Sequence, residues 1–140
     1  SVSDALISHT DLMATFAAAI DVTIPAGQAI DSFNFLPYLQ GQAERGPRTQ
    51  MVHNTLKDHY AFREGDWLLV DAKTGYLREA PAAWNRKHGM PEEDGLPVEL
   101  FNLREDPGQK HNLAAQHPAR VATMQAQLQA VRESSYPELK

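Results

Sequence analysis

Apolar residues recur at helical spacing between Ser8 and Ile20, where Leu12, Phe16, Ala19 and Ile20 fall on one face. Ser8 followed three residues later by Asp11 is a capping-box-like start, with a side-chain oxygen for the free amide groups of the first turn. Pro25-Ala26-Gly27 closes the stretch. Met13, Ala14, Ala17 and Ala18 cover the remaining faces. The expected helix is therefore apolar nearly all round and calls for burial on several sides. From Gln28 to Arg48 the periodicity is lost, apart from a short helical turn around Phe35 to Leu39. The polar stretch Gly41 to Arg48 reads as a boundary.

Beyond it the period changes from that of a helix to that of strands. Gln50 to Leu56 and Tyr60 to Arg63 are strand-like, and Glu64-Gly65-Asp66 turns the chain into Trp67 to Asp71. Val98 to Leu103 alternates apolar and polar residues as a fourth strand. A long insert with several Gly and Pro residues separates Lys73 from Pro97, and inserts of that length are usually functional or mobile. The last element is a helix from Pro118, with Val121, Met124, Leu128 and Val131 as its apolar stripe and Ser134, Ser135 and Pro137 as its stop. The expected fold class is α+β: a small antiparallel sheet of about four strands with a C-terminal helix packed across one face. Its core is expected at Phe62, Trp67, Leu69, Leu100, Leu103 and the helix stripe. Residues 49–140 form this unit, while residues 1–48 read as part of something larger.

Composition narrows the function classes. The 140 residues are 42% hydrophobic and 22% charged, with a net charge of −5, which fits a folded domain rather than a disordered chain. A mildly acidic chain gives no electrostatic reason to bind nucleic acid or anionic lipid. The longest apolar stretch, Leu12 to Ile20, is far short of the roughly 20 residues that span a bilayer, so no membrane partner is expected. The first eleven residues lack a basic start and are not expected to be a signal peptide. Without cysteine there is no disulfide, thiolate nucleophile or zinc–cysteine site.

Candidate chemistry is sparse. His53, Asn54, Asp58 and His59 cluster around the end of the first strand, where imidazole and carboxylate could hold a metal or an anionic group, or be ordinary hairpin residues. Arg63, Arg86, Lys87 and His88 could face an anionic substrate or be solvated charges. Glu105-Asp106-Pro107-Gly108 lacks the alternating oxygen ligands of a calcium loop and reads as a turn leading to Asn112-Leu113. No serine-nucleophile, zinc-protease or phosphate-loop motif occurs, and the residues supply no complete catalytic set.

Four blocks in order carry a resemblance. Ser8 to Thr15 is similar to a stretch in which Asp-Leu precedes Pro-Thr, with Ala14 where Pro is common. Asp31-Ser32-Phe33 followed by Leu36-Pro37-Tyr38-Leu39-Gln40-Gly41 forms the second block. Ala61 to Leu69 resembles an Ala-x-Arg-x-Gly-x-Trp-Lys-Leu hairpin, with Leu68 in the Lys place. Glu99 to Pro107 and then His111-Asn112-Leu113 complete the series. Together they resemble the C-terminal portion of a type I, formylglycine-dependent sulfatase (arylsulfatase).

The resemblance implies that residues 1–48 are the tail of an alkaline-phosphatase-like α/β catalytic domain and residues 49–140 the C-terminal subdomain. It also implies an upstream catalytic domain as partner, holding the formylglycine nucleophile and calcium, with neither the nucleophile nor the metal site in this chain. The near-match Ser135-Tyr136-Pro137-Glu138-Leu139 lacks the Arg of the nucleophile motif and is rejected. On this analogy His53, Asn54, His59, Trp84 and His88 contact the organic part of a sulfate ester. The 140 residues alone are expected to be inactive. The Leu12/Phe16 face is expected to meet the upstream polypeptide or a second copy. A stand-alone binding or oligomerisation module without turnover is the alternative, and family members acting on phosphonate or phosphate esters keep those chemistries open. Export to the periplasm or outside the cell follows by analogy, the signal lying on a missing N-terminus.

Overall fold

The computed structural model describes residues 3–54, 59–73, 81–89 and 94–134. The chain divides into two units, Ser1–Met51 and Val52–Pro137, each with its own construction.

In the first unit, α1 spans Asp11–Ala19 and α2 spans Leu36–Leu39. The start of α1 is half of a capping box. The Asp11 carboxylate accepts the Ser8 N–H at 2.8 Å, while the Ser8 hydroxyl accepts from Thr10 rather than from a first-turn amide of the helix. The helix also ends earlier than Pro25-Ala26-Gly27. Asp21 takes a left-handed φ of 56°, the Val22 N–H reaches the Ala17 carbonyl at 2.8 Å and the Asp21 N–H reaches Ala18. This is a Schellman closure with Asp where Gly is usual.

The buried face of α1 is the polar one. Asp11 and Thr15 are buried, whereas Leu12, Met13, Phe16 and Ile20 are exposed, Phe16 by 62% and Ile20 by 71%. Thr15 Oγ1 donates to the Asp11 carbonyl and accepts the Phe35 N–H at 3.0 Å. Phe35, fully buried, is the apolar centre of this unit, with Tyr38 edge-on to its ring at 6.3 Å. A Cβ at Gly46 would stand 2.9 Å from the Phe35 ring, so the chain passes there only because the residue is glycine.

The second unit is a four-stranded antiparallel sheet in the order β1-β2-β3-β4: β1 Gln50–Asn54, β2 Tyr60–Glu64, β3 Trp67–Val70 and β4 Glu99–Asn102. Glu64 pairs with Trp67, leaving Gly65 and Asp66 as a two-residue turn. Gly65 has φ +56° and Asp66 does not share the positive sign, the pattern of a type II′ hairpin. Phe62, Leu69 and Leu100 lie opposite one another across three strands and face Met124 and Leu128 of α4 (Pro118–Glu133), with Val98 and Ala114 completing the cluster. Trp67 packs at its edge, while Val131 remains exposed. Leu103 belongs to a second cluster, with Ala61, Leu68, Val70, Ala72 and Phe101. The layer of α4 against β2 and β3 is the expected α+β arrangement. Within the long insert one helix was not anticipated: α3, Ala82–Lys87. Among the described residues no helix is long and apolar enough to cross a membrane.

Candidate functional site

The second unit carries the residues of interest on two elements. His53 and Asn54 are the last residues of β1 and both are exposed, while His59, half-buried, precedes β2. Asp58 lies outside the described residues. Although the His53 side chain is accessible, loss of surrounding water and then the nearby Arg63 guanidinium hold its imidazole below the ordinary value. A neutral ring at neutral pH can accept one hydrogen bond and donate another. Arg63 is oriented by its own turn, its Nε donating to the Gly65 carbonyl at 3.0 Å.

The second element is α3. Trp84 and His88, four residues apart and so on one face of the helix, stack with ring centroids 4.0 Å apart and planes inclined by 27°. His88 Nδ1 lies 2.8 Å from the Trp84 carbonyl oxygen. That oxygen can only accept, so Nδ1 carries a hydrogen. The structure thus brings Trp84 and His88 together. Among the described residues no hydrogen bond or ring contact joins them to His53 or Asn54. The insert returns to the sheet through Asp94, which accepts from Asn112 Nδ2 at 2.7 Å. Asn112 also bonds the Val98 carbonyl and the amides of Leu100 and Ala114.

No group of three or more His, Asp or Glu side chains converges among the described residues. In the turn at Glu105 to Gly108, Asp106 Oδ2 accepts the backbone N–H groups of Lys110 and His111 at 2.7 and 2.8 Å. Burial alone would raise this carboxyl, but those two amides and the His111 ring hold it below the usual range. Ser135 to Leu139 lies outside the described residues.

Two features carried no signal in the local pattern. One is the buried ion pair of the first unit, in which Arg48 Nη2 meets Asp11 Oδ1 at 2.6 Å and Arg48 Nε meets Oδ2 at 2.9 Å. The other is an open groove of about 500 Å³ at the start of α4, between Glu64, Gln116, His117, Arg120 and Thr123. There the Arg120 guanidinium lies 4.4 Å from the Trp67 ring centre and His117 stands edge-on to the same ring at 5.3 Å. Residues 37 positions apart, or side chains gathered by a helix and a hairpin, show no period that a single sequence exposes.

No protein-family model matches the sequence. The chain is similar to the N-acetylgalactosamine-6-O-sulfatase of Bacteroides thetaiotaomicron, 29% identical over 130 residues that make up 91% of this chain and 24% of that protein. It is similar in structure to a sulfatase from glycosaminoglycan metabolism in the same organism, with a TM-score of 0.68 and 29% identity over 92% of this chain and 25% of that one. A 2-O glycosaminoglycan sulfatase shares the fold, with a TM-score of 0.64 and 20% identity over 100% of this chain and 28% of that one. The chain spans about a quarter of the length of the relatives it matches.

Proposed function

This chain is a sulfatase C-terminal portion, and from that premise we propose that it lines the substrate cleft of a sulfuric ester hydrolase and stabilises an upstream catalytic domain. The observation that carries the reading is α1. A helix that buries Asp11 and Thr15 and exposes Leu12, Met13, Phe16 and Ile20 needs a further polypeptide over its apolar face. The chain spans about a quarter of its relatives' length, which leaves room for that polypeptide to be the catalytic domain.

In this reading the formylglycine nucleophile and calcium belong to the upstream part, and no step runs through a group held by these residues. The role of this chain is to bind and orient. His53, Asn54 and His59 contact the sugar that bears the sulfate, and Trp84 and His88 a part of the organic group further from it. The name of the 29%-identical relative supports a sulfated amino sugar as the substrate class. The neutral His53 and the Asn54 amide suit hydroxyl and acetamido groups, which both accept and donate. Groups that only hold the substrate are expected to change KM.

The test is steady-state hydrolysis of N-acetylgalactosamine 6-sulfate by the intact enzyme containing this segment, compared with its His53→Ala and Asn54→Ala variants. A rise in KM of about tenfold with little change in kcat is the expected result, the loss of one or two hydrogen bonds to substrate. Unchanged kinetics in both variants would remove β1 from the cleft. The 140 residues alone are expected to show no turnover, and calcium-dependent hydrolysis by the isolated chain would overturn the division of labour.

A further inference from the structure

We propose that α3 carries a subsite for a second, acidic sugar unit of an oligosaccharide substrate, built from the stacked Trp84–His88 pair with Lys87 beside it. This rests on the cleft-lining role above and adds a ligand class and a separate place of contact. The imidazole covers part of the indole and is held there by the His88 Nδ1 bond to the Trp84 carbonyl, yet Trp84 remains 38% exposed. An exposed aromatic surface of this kind suits the flat C–H face of a pyranose ring, which is apolar across its middle and polar around its rim. His88 Nε2 is left to share a hydrogen bond with a hydroxyl on that rim.

Charge selects among sugars. Lys87, three residues after Trp84 and so beside it on the helix surface, is exposed and pairs with no carboxylate among the described residues. A cation beside an aromatic pair favours a sugar bearing carboxylate or sulfate over a neutral one. Trp84 and His88 stand on α3 and His53 and Asn54 on β1, and among the described residues no hydrogen bond or ring contact joins the two pairs, so each offers its own point of attachment. A ligand longer than one sugar therefore gains from it and a monosaccharide does not.

The experiment is binding to the 140-residue chain by calorimetry, with a chondroitin 6-sulfate tetrasaccharide and with N-acetylgalactosamine 6-sulfate as probes. Trp84→Ala is expected to weaken the tetrasaccharide about tenfold and leave the monosaccharide unchanged, while Trp84→Phe, which keeps a ring, retains most of the affinity. The variant Lys87→Gln is expected to lose about threefold and to flatten the salt dependence. Thermal unfolding of each variant checks that the chain remains folded. Tetrasaccharide affinity unchanged in Trp84→Ala, or no tetrasaccharide binding by the unmodified chain, overturns the subsite. Equal weakening of both probes by His53→Ala with no effect of Trp84→Ala overturns it while upholding the β1 reading. Loss with Trp84→Ala and none with His53→Ala upholds the subsite and removes β1 from substrate contact.

Discussion

Asp11 is the residue on which the first unit turns. Its carboxylate is fully buried and accepts from Ser8, Phe33 and two nitrogens of Arg48, while Arg48 also donates to Thr10 and to the Asp31 carbonyl. Burial alone would raise the carboxyl, but the Arg48 hydrogen bond, the two amides and the Arg48 charge hold it below the usual carboxylate range. A carboxylate depressed in the folded state contributes stability above its unfolded value, and that contribution is lost as pH falls through the folded one. Melting temperature measured against pH should therefore drop steeply on the acid side, and Asp11→Asn should flatten that limb. Arg48→Met leaves a buried charge without its partner and should cost about 3–5 kcal/mol in chemical denaturation. A loss below about 1 kcal/mol would show that water reaches Asp11. The sequence placed Asp11 at a helix start and Arg48 at a boundary. Their pairing was illegible because it depends on the path of the loop between them.

At the scale of elements, periodicity was informative wherever one face is buried by neighbours within the same unit. The four strands and α4 lie close to their expected places, because Phe62, Leu69, Leu100, Met124 and Leu128 converge on a shared core. Within the stripe of α4 the positions are not equal. Leu128 is fully buried, so Leu128→Ala should cost about 2–5 kcal/mol, whereas exposed Val131→Ala should cost less than about 1 kcal/mol. Equal costs would mean that α4 docks in a different rotation. At the hairpin, Gly65→Ala meets no atom within 4 Å but must hold a positive φ, so the expected loss is about 1 kcal/mol from conformation alone. Leu103 was expected in the core beneath α4 and instead joins the second cluster, a change of face that strand alternation near an end does not fix. α3 was missed because its six residues carry too little pattern to separate a short helix from a Pro-led loop.

For the molecule as a whole, the telling feature is an apolar surface on the outside of a helix that has already buried its polar side. An apolar pattern reports that a face must be covered, not what covers it, so the sequence showed the demand for burial and left its direction open. Isolated, the chain should self-associate through this surface, and Leu12→Ser/Phe16→Ser should shift sedimentation toward monomer. Association undiminished in the double variant would put the contact elsewhere. The candidate site was legible only in part for a related reason. His53 and Asn54 stand at a strand end that periodicity locates, whereas the Trp84–His88 stack depends on a helix that periodicity did not.

The clasp around Asp11 also decides how the chain meets a protease. Arg45 and Arg48 are both trypsin targets by type, yet Arg45 is exposed while the Arg48 side chain is only 9% accessible and tied to Asp11. A serine protease must draw the arginine out into its own acidic pocket before it can cleave. In a timed digest read by peptide mass, the bond after Arg45 is therefore expected to open before the bond after Arg48. Exchanging Asp11 for Asn should release the guanidinium and make the second bond as vulnerable as the first.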